Sequence, residues 1–108
     1  MRVAAVVVDL MLFSRIEAAA TTAGASLARV DSPADLPKGQ TFDLILVDWS
    51  ARHPSWADTL RSRTPSLVIL FGPHTDLGAH AAAREAGLGP MWARSKILTA
   101  LPRLMEAD

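Results

Sequence analysis

The sequence contains no cysteine, which excludes disulfide scaffolds, zinc knuckles and thiol nucleophiles together. It has no excess of either charge: 11 basic residues balance 11 acidic ones, so the formal net charge is zero. Nucleic acids and anionic membranes select basic surfaces, and a balanced chain argues against both as partners. Aromatic residues make up only 6% and tyrosine is absent. No apolar run approaches the roughly 20 residues that a membrane span requires. The apolar stretch after Arg2 has no cleavage-site pattern behind it, so no signal peptide is expected and a cytoplasmic location follows. Half of the 108 residues are hydrophobic and a fifth are charged, enough to bury one core. Residues 1–108 are therefore expected to form one domain, with no linker, repeat or low-complexity segment.

The elements follow from periodicity. Val3 to Val8 is a β-branched run without alternation, closed by Asp9, the signature of a strand buried on both faces. Leu12, Phe13, Ile16, Ala19, Ala20 and Ala23 recur at helical spacing, and Gly24 sits at the C-terminal cap. Ala25 to Val30 reads as a second, weaker strand. Ser32 and Pro33 open a short helix as N-cap and first helical residue, and Pro37, Lys38 and Gly39 break it. Phe42 to Asp48 is the clearest strand. A loop from Trp49 to Pro54 precedes a helix over Ser55 to Arg63, which Thr64 and Pro65 stop. Ser66 to Phe71 is the fourth strand, Asp76 to Ala86 an alanine-rich helix closed by Gly87, and Met91 to Ala93 the fifth strand. The last helix starts at Ser95, and Pro102 is expected to kink it or end its first half. Strands and helices that alternate with short connections give an open, doubly wound α/β sheet with right-handed crossovers.

In such sheets the site lies at the carboxyl ends of the strands. There the sequence places Asp9 and Leu10, Asp48, Gly72 and Arg94. This set resembles the bacterial response-regulator receiver domain, a flavodoxin-like fold, over essentially the whole chain. The resemblance implies a five-stranded parallel sheet in the order 2-1-3-4-5 with helices on both faces. A working receiver has an acidic pair after strand one, a phosphoacceptor aspartate after strand three, a hydroxyl after strand four and a lysine in strand five. Asp48, in Leu46-Val47-Asp48, matches the acceptor, and Asp9, in Val7-Val8-Asp9, matches the first acid. Leu10 replaces the second acid. Counted from the Ala86-Gly87 pair, Gly72 stands at the hydroxyl position and Arg94 at the lysine, with Ser95 in place of the usual proline.

These replacements disfavour phosphoryl chemistry. Mg²⁺ demands near-octahedral oxygen coordination, and losing one carboxylate removes a ligand and a charge together. No cofactor is expected, and any Mg²⁺ binding at Asp9 and Asp48 should be weak. Gly72 has no hydroxyl to follow a phosphoryl group. Arg94 keeps the charge on a planar fork, unlike a lysine ammonium on its flexible stem, and is expected to pair with Asp48 or Asp9. The expected function is a stand-alone, non-enzymatic pseudo-receiver that signals through a protein partner or self-association. Two alternatives differ from it: an atypical receiver phosphorylated on Asp48, and a small-ligand or anion binder in the cleft among Asp9, Asp48, Gly72 and Arg94.

Plainer readings stand beside these. Asp9 and Asp48 can simply cap strand-to-helix turns. His74 and His80 are six residues apart, off the spacing that places two ligands on one helical face, and His53 sits in a loop, so no metal site is expected. Ser14, Ser50 and Ser95 lack a nucleophile elbow. Gly72-Pro73-His74-Thr75-Asp76 reads as a rigid turn with Asp76 as N-cap, rather than an anion loop. Met11, Leu12 and Phe13 form an apolar triplet that one helical face cannot bury whole. The candidate interface comprises Ala79, Ala82, Ala83, Met91, Trp92 and Leu98, on the surface that serves receivers as a partner face.

Overall fold

A computed structural model describes residues 1–63 and 65–106. Its frame is a parallel sheet of β1 (Arg2–Val6), β2 (Ser26–Val30), β3 (Leu44–Asp48), β4 (Leu67–Gly72) and β5 (Trp92–Ala93), in the order β2-β1-β3-β4-β5. That is the expected order. β1 lies between β2 and β3, with Ala4 opposite both Ala28 and Ile45. β3 is central and all five of its residues are buried, as its unbroken apolar run requires.

The helices cover the sheet on two sides. α1 (Leu10–Ala23) and α4 (Arg94–Leu104) bury Leu12, Ile16, Ile97 and Leu101 against Val3, Ala5, Leu44 and Phe71. α2 (Trp56–Arg61) and α3 (Leu77–Glu85) bury Trp56, Leu60, Ala79 and Ala83 against Ala4, Ile45, Val47 and Leu70. Alternate residues of each strand thus feed opposite core layers, as the strand period dictates. Gly24 ends α1 in the left-handed conformation at φ 72°, and Gly87 turns the chain after α3 at the same φ.

Several element ends differ from expectation. β1 stops at Val6 instead of Val8: Val7 stays buried, but the chain leaves the ladder there and Val8 is exposed, because it must turn towards the start of α1. β3 begins at Leu44; Asp43 is held outside it, its backbone N–H donating to the Arg2 carbonyl at 2.8 Å while its carboxylate accepts from the Arg2 N–H at 2.7 Å. The helix expected after Ser32 is a single 3-10 turn, Pro33–Asp35, with Ser32 capping it as its sequence implies. Trp49–Ala51 forms another such turn within the expected loop. α2 is shorter than Ser55 to Arg63, and Thr64, expected to stop it, lies outside the described residues. Pro102 does not end α4, which runs on to Leu104; a single missing N–H near a helix end is tolerated. Beyond β2, the Arg63 guanidinium donates to the carbonyls of Leu36, Pro37 and Gln40 at 2.8–3.3 Å and ties down the connection to β3.

Candidate functional site

Asp48 ends the central strand, where a parallel sheet presents its side chains to the following loops. It is the only buried charged residue among those described, at 7% exposure. Its Oδ1 accepts from the backbone N–H of Ser50 at 3.2 Å and from Ser50 Oγ at 2.5 Å, so it caps the turn that follows it. Its Oδ2 faces Arg94 Nη2 at 3.6 Å. Asp48 is thus Arg94's partner, and both its oxygens are engaged within the chain. The contribution of Ser50 was not foreseen in the sequence. Its signal is local: a hydroxyl two residues beyond an aspartate at a strand end favours such a capped turn.

Arg94 reaches this point from the first turn of α4, one residue earlier than the expected helix start. The pair spans the end of β4, since β3 and β5 flank that strand. At 3.6 Å the contact is longer than a hydrogen bond, and the buried Arg94 Nε has no acceptor.

Asp9 is exposed and serves as the N-cap of α1, its Oδ1 accepting from Met11 N–H at 3.0 Å and Leu12 N–H at 3.2 Å. Leu10, at the second acidic position, is the first residue of α1 and points into solvent. Gly72 ends β4, and the space beside it is occupied. A Cβ at Gly72 would lie 3.1 Å from Met91 Sδ and 3.8 Å from the Ser50 nitrogen. Met91, buried at the head of β5, crowds the hydroxyl position and would have to shift by a few tenths of an ångström to admit a side chain there. No sequence spacing announces that contact, because it is made between separate segments.

The residues present do not fit a Mg²⁺ site. Asp9 uses one oxygen as a helix cap and leaves only Oδ2, Leu10 offers no oxygen, and Asp48 is turned to Ser50 and to a guanidinium, which is too few free oxygens for octahedral coordination. Among the described residues, no three His, Asp or Glu side chains cluster as metal ligands. The three histidines are placed otherwise: His80 Nε2 lies 2.9 Å from the His74 carbonyl, and the His53 ring lies tilted against Trp56 with centroids 5.8 Å apart. Asp76 caps α3 through Ala79 N–H at 3.0 Å, so the loop after Gly72 is the turn that its sequence suggested.

On the α3 side of Asp48 the sheet edge is packed. Trp49 follows Asp48 directly, is almost fully buried, and its Nε1 donates to the Ala79 carbonyl at 3.1 Å. Five surface cavities lie away from this edge. A shallow one of about 710 Å³ follows α4 along Ser95, Lys96, Thr99 and Arg103, and one of about 580 Å³ follows α1 along Ala18, Thr22 and Ala23. The other three are lined by residues of the 33–68 and 87–89 segments. At the expected cleft, Trp49 and the Asp48–Arg94 pair occupy the side nearest β4, while Asp9 and part of Arg94 are exposed.

The expected interface needs correction. Ala79, Ala83 and Met91 are buried in the core under α3, where alanines let the helix approach the sheet closely, so they cannot touch a partner. Ala82, Trp92 and Leu98 are half-buried. Trp92 lies under Lys96, whose ammonium sits 4.6 Å from its ring centroid.

No family model matches the sequence, and no curated protein does either. Solved structures do match in shape. The non-phosphorylated HemR receiver domain of Leptospira biflexa superposes with a TM-score of 0.70 at 15% identity, over 99% of this chain and 95% of that one. A response regulator receiver domain protein of Clostridium thermocellum gives 0.65 at 16% identity, over 96% and 93% of the two chains. A putative CpaE2 pilus assembly protein of Sinorhizobium meliloti gives 0.60 at 16%, over 96% and 99%. Similarity at this level of identity concerns the fold: the chain has the receiver-like, flavodoxin-like architecture, and its site must be judged on its own residues.

Proposed function

We propose that this chain is a degenerate receiver, a non-enzymatic module of bacterial signal transduction that acts by protein–protein contact and does not accept phosphate on Asp48. One observation carries the reading. The carboxylate at the acceptor position is already occupied, by Ser50 on one oxygen and Arg94 beside the other. A phosphodonor must approach one of those oxygens, and the cation that would neutralise its charge has no set of oxygen ligands here. Gly72 adds to this, since it carries no hydroxyl and Met91 Sδ stands 3.1 Å from where a Cβ would lie, so a side chain there needs Met91 to yield by a few tenths of an ångström. With the switch chemistry gone, the fold is left as a rigid scaffold whose surface does the signalling. No described helix is long and apolar enough to cross a membrane. A cytoplasmic location is part of the proposed reading.

The test is incubation with Mg²⁺ and acetyl phosphate, followed by intact mass measurement. The expected outcome is an unmodified protein, identical in behaviour to Asp48→Asn. A Mg²⁺-dependent phosphoryl adduct that Asp48→Asn abolishes would show an active receiver instead.

A further inference from the structure

Six large apolar side chains are exposed among the described residues, and four of them lie at the carboxyl edge of the sheet: Val8 at 57%, Leu10 at 66%, Met11 at 82% and Leu77 at 77%. Val8, Leu10 and Met11 are nearly consecutive, at the turn from β1 into α1. Helix starts usually carry polar or acidic side chains that complement the exposed N–H groups, and the first turn of α1 has no acid. Large apolar side chains exposed this close together in the chain point to a site of association.

The same edge carries both signs of charge with capacity to spare. α1 and α4 share one core layer, so the Arg94 side chain at the start of α4 lies on the same side of the sheet as Leu10 and Met11. Its side chain is 41% exposed, and its contact with Asp48 is too long for a hydrogen bond. Exposed Asp9 satisfies its two cap bonds with Oδ1 alone. A patch holding an under-used cation, an under-used anion and apolar side chains is complementary to itself, as a twofold interface demands. The chain's net charge of zero sets no long-range repulsion between copies.

We infer that the occupant of this edge is a second copy of the chain. Two molecules meet about a twofold axis, with Val8, Leu10 and Met11 packed across it and Asp9 of each copy facing Arg94 of the other. The interface lies over the degenerate site, and not on the α3–β5 surface whose alanines are buried. The inference rests on the proposed reading only in that an edge engaged in phosphoryl transfer could not be covered in this way.

Sedimentation equilibrium over a concentration series tests it. The wild-type protein is expected to dimerise reversibly. Met11→Glu places an acid in the first turn of α1, where it favours the helix, and is expected to raise the dissociation constant about tenfold or more. Asp9→Asn keeps the cap, removes the charge facing Arg94, and is expected to raise it by about threefold or more. Leu67→Glu, at an exposed apolar residue on the opposite edge, is expected to leave association unchanged. A wild-type protein monomeric throughout the series, or a dimer that either Met11→Glu or Asp9→Asn leaves intact, would overturn the inference. Neither result touches the reading of Asp48, which the phosphoryl adduct decides separately.

Discussion

Trp49→Ala is expected to destabilise the protein by about 3–5 kcal/mol, the usual cost of emptying an aromatic-sized space in a core. Trp49 is 2% exposed and belongs to the layer formed with Val47, Ala79, Ala83 and Met91. Its indole N–H also donates to the Ala79 carbonyl, and the Arg52 guanidinium lies 5.9 Å from its ring centroid. Since a domain of this size is held by about 5–15 kcal/mol in all, the variant should be partly unfolded under mild conditions. Trp49→Phe keeps most of the apolar volume and loses the donor, so its expected cost is near 1 kcal/mol. Urea denaturation followed by circular dichroism measures both. A loss below about 1 kcal/mol for Trp49→Ala would contradict the view that the end of β3 is welded to α3. That weld matters for function, because it immobilises the residue next to the acceptor position.

Arg94→Met should cost about 2 kcal/mol, less than the roughly 3–5 kcal/mol typical of breaking a fully buried ion pair. The discount follows from geometry: Asp48 is buried, while Arg94 keeps 41% of its side chain in water and stands 3.6 Å away. Methionine preserves much of the aliphatic stem, so the loss reports charge rather than packing. A double-mutant cycle with Asp48→Asn isolates the interaction, and the Arg94→Met penalty should shrink markedly in the Asp48→Asn background. An equal penalty in both backgrounds would mean that the two residues do not act as a pair.

The architecture was legible because its signals are local. Val3 to Val7 carries no polar side chain, so it can only sit where both faces are covered, and Gly24 and the Ser32-Pro33 step mark turns through their own backbone preferences. Counting along the chain also placed Asp9, Asp48, Gly72 and Arg94 at one edge. What escaped was set by contacts between distant segments. The end of β1 depends on where its neighbour stops pairing, at Val6 opposite Val47, and not on where the valines run out. Gly72 read as a missing hydroxyl, whereas in the fold it is also a close approach, with Met91 Sδ 3.1 Å from where a Cβ would stand. Ala79 and Ala83 read as a smooth outer surface, since small residues suit a close approach on either side of a helix; only the packing shows that the sheet is what they approach. Met11 went the other way. The triplet of Met11, Leu12 and Phe13 announced that one side chain would be left out, and the helix phase leaves Met11 in solvent while Leu12 is buried.

In the proposed reading, Ser50 and Arg94 hold the Asp48 carboxylate and close the acceptor position to phosphoryl chemistry. The most direct measurement is a backbone amide NMR titration with Mg²⁺ and then beryllofluoride, which mimics a bound phosphoryl group. The amides around Asp48, Gly72 and Arg94 are expected to keep their positions throughout. A concerted, saturating shift of those amides would contradict this reading, and would mean that Asp48 can exchange Ser50 and Arg94 for a phosphoryl ligand.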